Sequence, residues 1–227
     1  MRPTRTRNVT RLEAFSDAVF AFSATLLVVS LEVPQSFPQL LADLKGFAAF
    51  GISFAALILI WSVHHAFFRR YDLEDRMTVV LNSCLLFVVL FYVYPLKFVS
   101  EGMASHFLGV GPQQPRGLRD WDDLATLFLL YGVGFVAVFL MIALLYLHAW
   151  RQRERLELDE QERFEASFYS RHYGLFVLVG LISMALAWSG WGLRYGGPGY
   201  AYFLIGPCCA LHGVLSSRRQ RRRDPAP

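Results

Sequence analysis

Apolar residues dominate six segments of the chain, and charged residues are concentrated between them. About 18–20 apolar residues are enough to cross the hydrocarbon core of a bilayer, and each segment approaches or exceeds that length. The pattern therefore predicts an all-α, polytopic membrane protein. Its six transmembrane helices are expected over residues 12–32, 42–67, 77–99, 122–149, 172–190 and 198–216.

Prolines and charges set the expected ends of these helices. Pro34 follows the first helix, Pro95 is expected to bend or end the third, and Gly206-Pro207 interrupts the sixth. The charged segment 151–171 alternates in sign and is interpreted as a solvated extension of the fourth helix. An irregular exposed loop is expected over 100–121. The helices form one domain, 1–217, and a basic tail, 218–227, is predicted to be disordered near anionic lipid head groups.

The positions of the basic residues predict the orientation. Seventeen of the 22 lysines and arginines lie in the amino-terminal segment, the second and fourth loops and the tail, and five lie in the other connections. Cytoplasmic loops carry the excess of Lys and Arg, so both termini are expected in the cytoplasm of a multi-pass cell-membrane protein. An even number of helices is then required, which supports the sixth.

Composition changes this picture little. The chain is 55% hydrophobic with a net charge of +4, but its basic residues alternate between loops and form no single patch, so no nucleic-acid partner is predicted. The segment 1–7 has no apolar region, and no cleaved signal peptide is expected. Cys84, Cys208 and Cys209 fall in apolar segments without a C-x-x-C spacing and are interpreted as small buried hydrophobes.

The first helix carries an ordered pattern of side chains. At about 100° per residue, Phe15, Val19, Phe22, Leu26 and Val29 form one apolar stripe. A row of serines at seven-residue spacing lies to one side, and Thr25 lies to the other; the serines are Ser16, Ser23 and Ser30. Small hydroxyl residues commonly mediate helix packing in membranes. The alternative interpretation is a narrow hydrophobic constriction with hydroxyl groups beside it.

Asp17 is the one charged residue between Ala14 and Leu31, and it points away from the apolar stripe. A carboxylate in a membrane helix is costly unless it is paired, so it marks a functional or structural position. We expect an Arg, His or Trp side chain against it.

Several motifs together resemble the TMEM175 family of potassium-permeable channels. Arg11-x-x-x-Phe15-Ser16-Asp17, followed by Thr25-Leu26-Leu27-Val28, resembles the opening helix of that family. The resemblance extends to Trp61-Ser-Val-His64-His65, to Asn82 and to Pro95. It covers roughly the first hundred residues with distinctive motifs, and beyond them the six-helix pattern matches.

The resemblance implies a site for each of these residues. The first helices of four subunits would surround the axis of a homotetramer, and Phe22, Leu26 and Val29 would form the pore constriction. Thr25, with Ser23, would support the constriction or contribute to selectivity. A cytoplasmic-side network would anchor the pore helix; its members would be Arg11, Phe15, Ser16, Asp17, Trp61, His64, His65 and Asn82. The family commonly has Gly and Ile where this chain has Ala18 and Phe22, and the wider, stiffer Phe22 is expected to tighten the closed state or alter selectivity.

The expected function is passive conduction of potassium ions, with membrane lipid as surroundings and without catalysis, cofactor or bound metal. A coupled secondary transporter is the alternative, but it would ordinarily show midplane charges and inverted repeats. A membrane oxidoreductase would need a bis-histidine haem, for which His64, His148 and His212 are the candidates. The adjacent His64 and His65 point about 100° apart and lack a third ligand, which argues against a metal site.

Overall fold

The computed structural model describes residues 9–29, 35–71, 73–109, 118 and 120–223, and over these residues the regular structure is entirely helical. Six helices are long and apolar enough to cross a membrane, which confirms the predicted fold class. The helices are α1 Arg11–Val29, α2 Phe37–Arg70, α3 Arg76–Leu108, α4 Trp121–Arg151, α5 Glu160–Ser189, the short α6 Gly197–Tyr200 and α7 Ile205–Arg223, with 3-10 turns at Leu193–Tyr195 and Ala201–Leu204.

The helices pack in an order that follows the chain. α1 lies against α2 and α3, α3 also contacts α4, and α4 and α5 form the largest interface in the subunit. α7 packs against α5 and stays largely outside the core. The buried apolar core therefore runs from the inner face of α1 through α3 to α4 and α5.

The charged segment 151–171 is not an extension of α4, and that prediction is wrong. α4 ends at Arg151, a turn follows, and α5 begins at Glu160. Asp159 caps α5: its side chain accepts the Glu162 backbone N–H at 2.8 Å, and the Glu162 side chain accepts the Asp159 N–H at 2.9 Å. Glu157 adopts a positive φ of 48° in the turn. The Asp-x-x-Glu capping box is a sequence signal that separates the two helices here.

α3 is longer than predicted. It continues through Pro95 to Leu108, so residues 100–108 of the expected loop are helical. Proline is tolerated inside membrane helices because neighbouring groups can satisfy the backbone carbonyl that it leaves without a donor. Gly109 then ends the helix in the left-handed conformation, with φ 64°, which favours glycine.

The sixth span and the tail also differ from the prediction. The sixth span is divided into α6, a 3-10 turn and α7, and Pro207 lies in the first turn of α7, where a missing N–H costs little. α7 continues as a helix to Arg223, in place of a disordered tail from residue 218, since arginine is a good helix former. Residues 224–227 lie outside the described part of the chain.

The prediction that the three cysteines are buried is wrong. Cys84 is exposed on α3, and Cys208 and Cys209 are half-buried on α7. All three are free thiols. An apolar segment of a membrane helix has an outward face as well as a buried one, so apolar sequence surroundings alone did not place these side chains.

Candidate functional site

α1 has two faces of different chemistry. The buried face packs against α2 and α3 and consists of Glu13, Ser16, Phe20, Ser23 and Leu27. The opposite face is apolar and uncovered in the subunit. Phe15 is 61% exposed, Phe22 57% and Val29 71%. The helix thus presents large apolar side chains away from the body of its own chain.

The serine row lies on the buried face. Ser16 and Ser23 are fully buried, and their hydroxyls donate to the carbonyls of Leu12 at 2.7 Å and Val19 at 2.9 Å. Their small side chains let α1 approach its neighbours closely, which is the helix-packing interpretation of the row. Ser30 lies outside the described residues.

Thr25 is placed differently from these serines. Its side chain is exposed, and its hydroxyl donates to the Ala21 carbonyl at 3.0 Å. Because the proton is engaged by the backbone, the hydroxyl oxygen can act toward other groups as an acceptor. Leu26 is half-buried and packs against the edge of the core. The uncovered face of α1 therefore combines large apolar side chains with an exposed threonine.

Asn82 joins three helices behind this face. It is fully buried on α3; its Nδ2 donates to Ser16 Oγ on α1 at 2.9 Å, and its Oδ1 lies 2.8 Å from His64 Nε2 on α2. His64 is also buried, and its ring packs against Phe20 of α1 with centroids 5.4 Å apart. An amide that both donates and accepts can satisfy two different partners at once. These bonds fix the rotation of α1 about its own axis.

Asp17 has the partner that the sequence predicts. Trp61 Nε1 on α2 donates to Asp17 Oδ1 at 2.8 Å. The indole in turn stacks on His65, with ring centroids 5.2 Å apart and planes 20° from parallel. A charged acceptor makes this a stronger hydrogen bond than a neutral pair would. The Asp17–Trp61 bond ties α1 to α2, and it starts from the residue next to Ser16, which is bonded to α3.

Two residues of the predicted network do not join it within the subunit. Arg11 is exposed in the first turn of α1, and among the described residues no ion pair links it to Asp17. Phe15 points outward with Phe22. The start of α1 is held instead by a capping box, in which Thr10 N–H donates to Glu13 at 2.9 Å and Glu13 N–H to Thr10 Oγ1 at 3.2 Å.

A second polar cluster, which sequence reasoning missed, ties the ends of α3 and α4 together. Asp75 caps α3 by accepting from Thr78, and it also lies 2.7 Å from His148 Nε2 and accepts from Gln152 at 3.0 Å. Burial by itself raises the pKa of Asp75, but the hydrogen bonds from Thr78 and His148 outweigh it and lower the pKa to about 2. The cap is visible in the sequence as Asp75-x-x-Thr78, whereas His148 gives no local signal.

The ends of α2 and α5 are joined beside this cluster. Arg70 forms an ion pair with Glu165, and the Tyr71 hydroxyl donates to the Glu162 carbonyl at 3.3 Å. Among the described residues, no three His, Cys, Asp or Glu side chains are grouped so as to hold a metal ion. The contacts of Asn82 and Trp61 hold α1 in a defined orientation, in which its outer face is left uncovered by its own chain.

Comparison with known proteins gives consistent matches. The sequence profile of the family described as "Endosomal/lysosomal potassium channel TMEM175" matches residues 11–92. A protein of Marivirga tractuosa named "Potassium channel" is 34% identical over 96% of this chain and 92% of its own length. A potassium channel of Chamaesiphon minutus is 26% identical over 78% of this chain and 85% of its own.

One solved structure is similar over nearly the whole chain. It is the crystal structure of a variant of the potassium channel MtTMEM175 in complex with a nanobody–MBP fusion protein. That chain is 35% identical, the match covers 96% of this chain and 99% of that one, and the TM-score is 0.82.

Proposed function

Since this chain belongs to the TMEM175 family, we propose that it is a potassium channel that conducts passively through a pore on the axis of a homo-oligomer. The observation that carries the proposal is the match, at 34% identity over nearly the whole chain, to a protein named as a potassium channel. The family consists of ion channels, so the protein is not an enzyme and the family implies no enzymatic cofactor.

The uncovered face of α1 is the proposed pore wall. One helix cannot enclose an axis, so several copies must contribute α1 to a closed ring, and we propose four. Phe22, Leu26 and Val29 form the constriction in this proposal. The exposure of Phe22 and Val29 in the single subunit supports it, because side chains that face an axis have no partner in their own chain. Leu26, which is half-buried, forms the shoulder of the constriction.

The constriction is apolar, and a narrow apolar ring can close a pore by excluding water. Phenylalanine is wider than the isoleucine common in the family, so we propose that Phe22 sets the narrowest level. Thr25, one turn further along, supplies an outward oxygen that replaces part of the hydration shell of a passing cation. Ser23 supports the constriction from behind by letting α1 pack closely against its neighbours.

The network behind α1 has a separate role in this proposal. Asn82 and Trp61 bond to Ser16 and Asp17, and they thereby hold the stripe toward the axis. His64 and His65 buttress these two donors through a hydrogen bond and a ring stack. Arg11, which is exposed, is available to a neighbouring subunit or to the aqueous phase at the mouth of the pore.

We place the protein in the cell membrane with both termini in the cytoplasm. The distribution of lysines and arginines supports that orientation, because they are concentrated near the termini and around the α2–α3 and α4–α5 connections. In that orientation the basic residues 218–223 belong to the cytoplasmic side, where the inner leaflet is negatively charged, and lipid surrounds the subunits.

The test is ion flux through purified protein in liposomes, with potassium and sodium gradients of equal size compared. We expect flux with potassium and weaker flux with sodium. Phe22→Ala should raise the leak and reduce discrimination between the two ions, because the apolar ring is widened. Phe87→Ala is the matched control, since Phe87 is 63% exposed but lies on α3.

Each outcome has a distinct meaning. Equal flux in the Phe22→Ala protein and the wild type would reject the constriction while leaving the channel in place. Flux that requires an added proton gradient would indicate a coupled transporter instead. Chemical crosslinking of the purified protein, resolved by size, tests the fourfold ring independently of flux.

A further inference from the structure

The contact between α5 and α7 contains two histidines that the proposed pore does not use. The ring centroids of His172 on α5 and His212 on α7 lie 5.8 Å apart. The ring of Phe168 lies nearly parallel to both, with its centroid 4.5 Å from that of His212 and 5.6 Å from that of His172. Cys209 of α7 places its Sγ 3.6 Å from His172 Nε2. These four side chains, the α5–α7 cluster, bring titratable groups into a contact between two membrane helices.

The surroundings of the two imidazoles suit uncharged rings. Among the described residues, the buried Nδ1 atoms of both histidines have no hydrogen-bond partner, and neither ring forms an ion pair with a carboxylate. The charged neighbour is Arg171, which acts on His212 through space. The other titratable groups that face the pair are Cys209, Tyr169 and Tyr173. A fully protonated ring would therefore place a positive charge and a buried N–H donor where no acceptor receives them.

The helix on the other side of this contact is loosely packed. The span that contains α7, Gly197–Ser216, has 6% of its apolar window buried inside the subunit, whereas each of the other five spans has at least 28%. α7 contacts α5 and the 3-10 turn Ala201–Leu204. A segment with few buried contacts opens at a low free-energy cost, so a repulsive term at the α5–α7 cluster meets little opposition.

We propose that the α5–α7 cluster is a proton-sensitive joint, which releases α7 from α5 when both histidines are protonated. Histidine is the side chain whose charge ordinarily changes between pH 5 and 8. Two imidazolium rings with centroids 5.8 Å apart repel each other, and Arg171 adds to the repulsion. His212 precedes Arg218 by six residues, about 9 Å along a helix, so it lies toward the cytoplasmic end of its span in the proposed orientation. The joint therefore responds to acid on that side of the membrane.

The experiment measures labelling of Cys209 by N-ethylmaleimide in the full chain, reconstituted in liposomes, at about pH 7.5 and about pH 5. Cys84, which is exposed on α3, is labelled in the same sample and reports how the reagent itself responds to pH. Mass spectrometry of fragmented peptides separates Cys209 from Cys208. We expect the ratio of Cys209 to Cys84 labelling to be at least about threefold higher at the lower pH, because release of α7 uncovers a half-buried thiol.

Two variants remove the charge at the α5–α7 cluster in different ways. His212→Phe keeps a ring that stacks on Phe168 but cannot be protonated, and the labelling ratio should then be nearly independent of pH. His172→Gln keeps a polar side chain beside Cys209 without a titratable group, and it should behave in the same way. Because the two changes lie on different helices, the second keeps the test decisive if the first folds poorly.

His148→Gln is the matched control, because it removes a histidine that bonds to Asp75 at the start of α3. It should retain the rise in labelling that the wild type shows at the lower pH. A ratio that does not change with pH in the wild type, or the same rise in both cluster variants, would overturn the joint. The labelling is read without ion flux, so failure of the joint and failure of the proposed pore are distinguishable.

Discussion

The packing of α1 against α2 and α3 differs in chemistry from the packing of α4 against α5. The first interface contains the hydrogen bonds of Asn82 to Ser16 and to His64, and that of Trp61 to Asp17. The second is dominated by aromatic rings. The ring centroids of Phe139 and Phe176 lie 4.6 Å apart, and other ring pairs of the two helices pack together along the interface.

The difference shows which helix must have a fixed orientation. Hydrogen bonds depend on direction, and a rotation of α1 by one residue would break the bonds of Ser16 and Asp17 together. Aromatic and aliphatic contacts depend mainly on volume and tolerate small rotations. The directional contacts occur where a particular face of a helix must point outward, and the volume-dependent contacts hold the surrounding scaffold.

The largest effect is expected from breaking the polar interface at its centre. Asn82→Ala removes the donor to Ser16 and leaves the Nε2 atom of the buried His64 without its partner, and we expect it to lower the free energy of unfolding by about 2 kcal/mol. Thermal unfolding of the purified protein measures the change. Ser53→Ala is the control, because the buried Ser53 hydroxyl bonds within its own helix, to Ala49 at 3.0 Å. Similar melting temperatures for the two variants would contradict the assigned importance of the network.

The aromatic interface should respond to added volume instead. A Cβ on Gly180 of α5 would lie 2.6 Å from Val136 Cγ2 and 3.1 Å from Phe135 Cδ1. We expect Gly180→Ala to destabilise by roughly 1 to 2 kcal/mol through overpacking. Gly174→Ala, on the same helix, places its methyl group in open space and should be neutral or slightly stabilising. Thermal unfolding checks both variants, and equal effects would remove the distinction between the two interfaces.

The smallest effect concerns the Asp75 cluster, a third kind of contact that depends on charge. The pKa of the Asp75 carboxyl group is lowered from an ordinary value of 3.8 to about 2. The folded state therefore favours the carboxylate, and its contribution is fully present above the ordinary value and is lost as the pH falls toward 2. We expect a loss of at most about 1 kcal/mol between neutral pH and about pH 3. Asp75→Asn should flatten this part of the pH dependence of thermal unfolding, and an unchanged slope would contradict the assignment.

Local patterns in the sequence predicted much of this arrangement. The cost of a carboxylate in a membrane helix predicted a partner for Asp17, and Trp61 is that partner. The shared face of Phe15, Phe22 and Val29 was visible from seven-residue spacing, since the period of a helix fixes which side chains lie together. The assignments of Phe22 and Thr25 to a pore remain predictions.

What the sequence did not reveal depends on contacts between distant segments. The stripe and the serine row are both regular, so periodicity did not say which of them would face the neighbouring helices. Ser16 is buried because Asn82, 66 residues away, bonds to it. Similarly, His148 lies 73 residues from Asp75 and has no local signature. The start of α5 was readable from local sequence, because Asp159 and Glu162 form a capping box. The alternating charges around them favoured a continuous helix instead, and that prediction is wrong.

The bond between Asp17 and Trp61 has a consequence for how the chain enters the membrane. Trp61 follows Asp17 by 44 residues and is therefore synthesised later. Until α2 arrives, α1 carries a carboxylate with no donor from that helix, which opposes its release into lipid as a lone segment. Asn82, the partner of Ser16, is synthesised later still, 66 residues after it. The first three helices are thus expected to leave the insertion machinery together, because α3 supplies the last hydrogen-bond partner of α1.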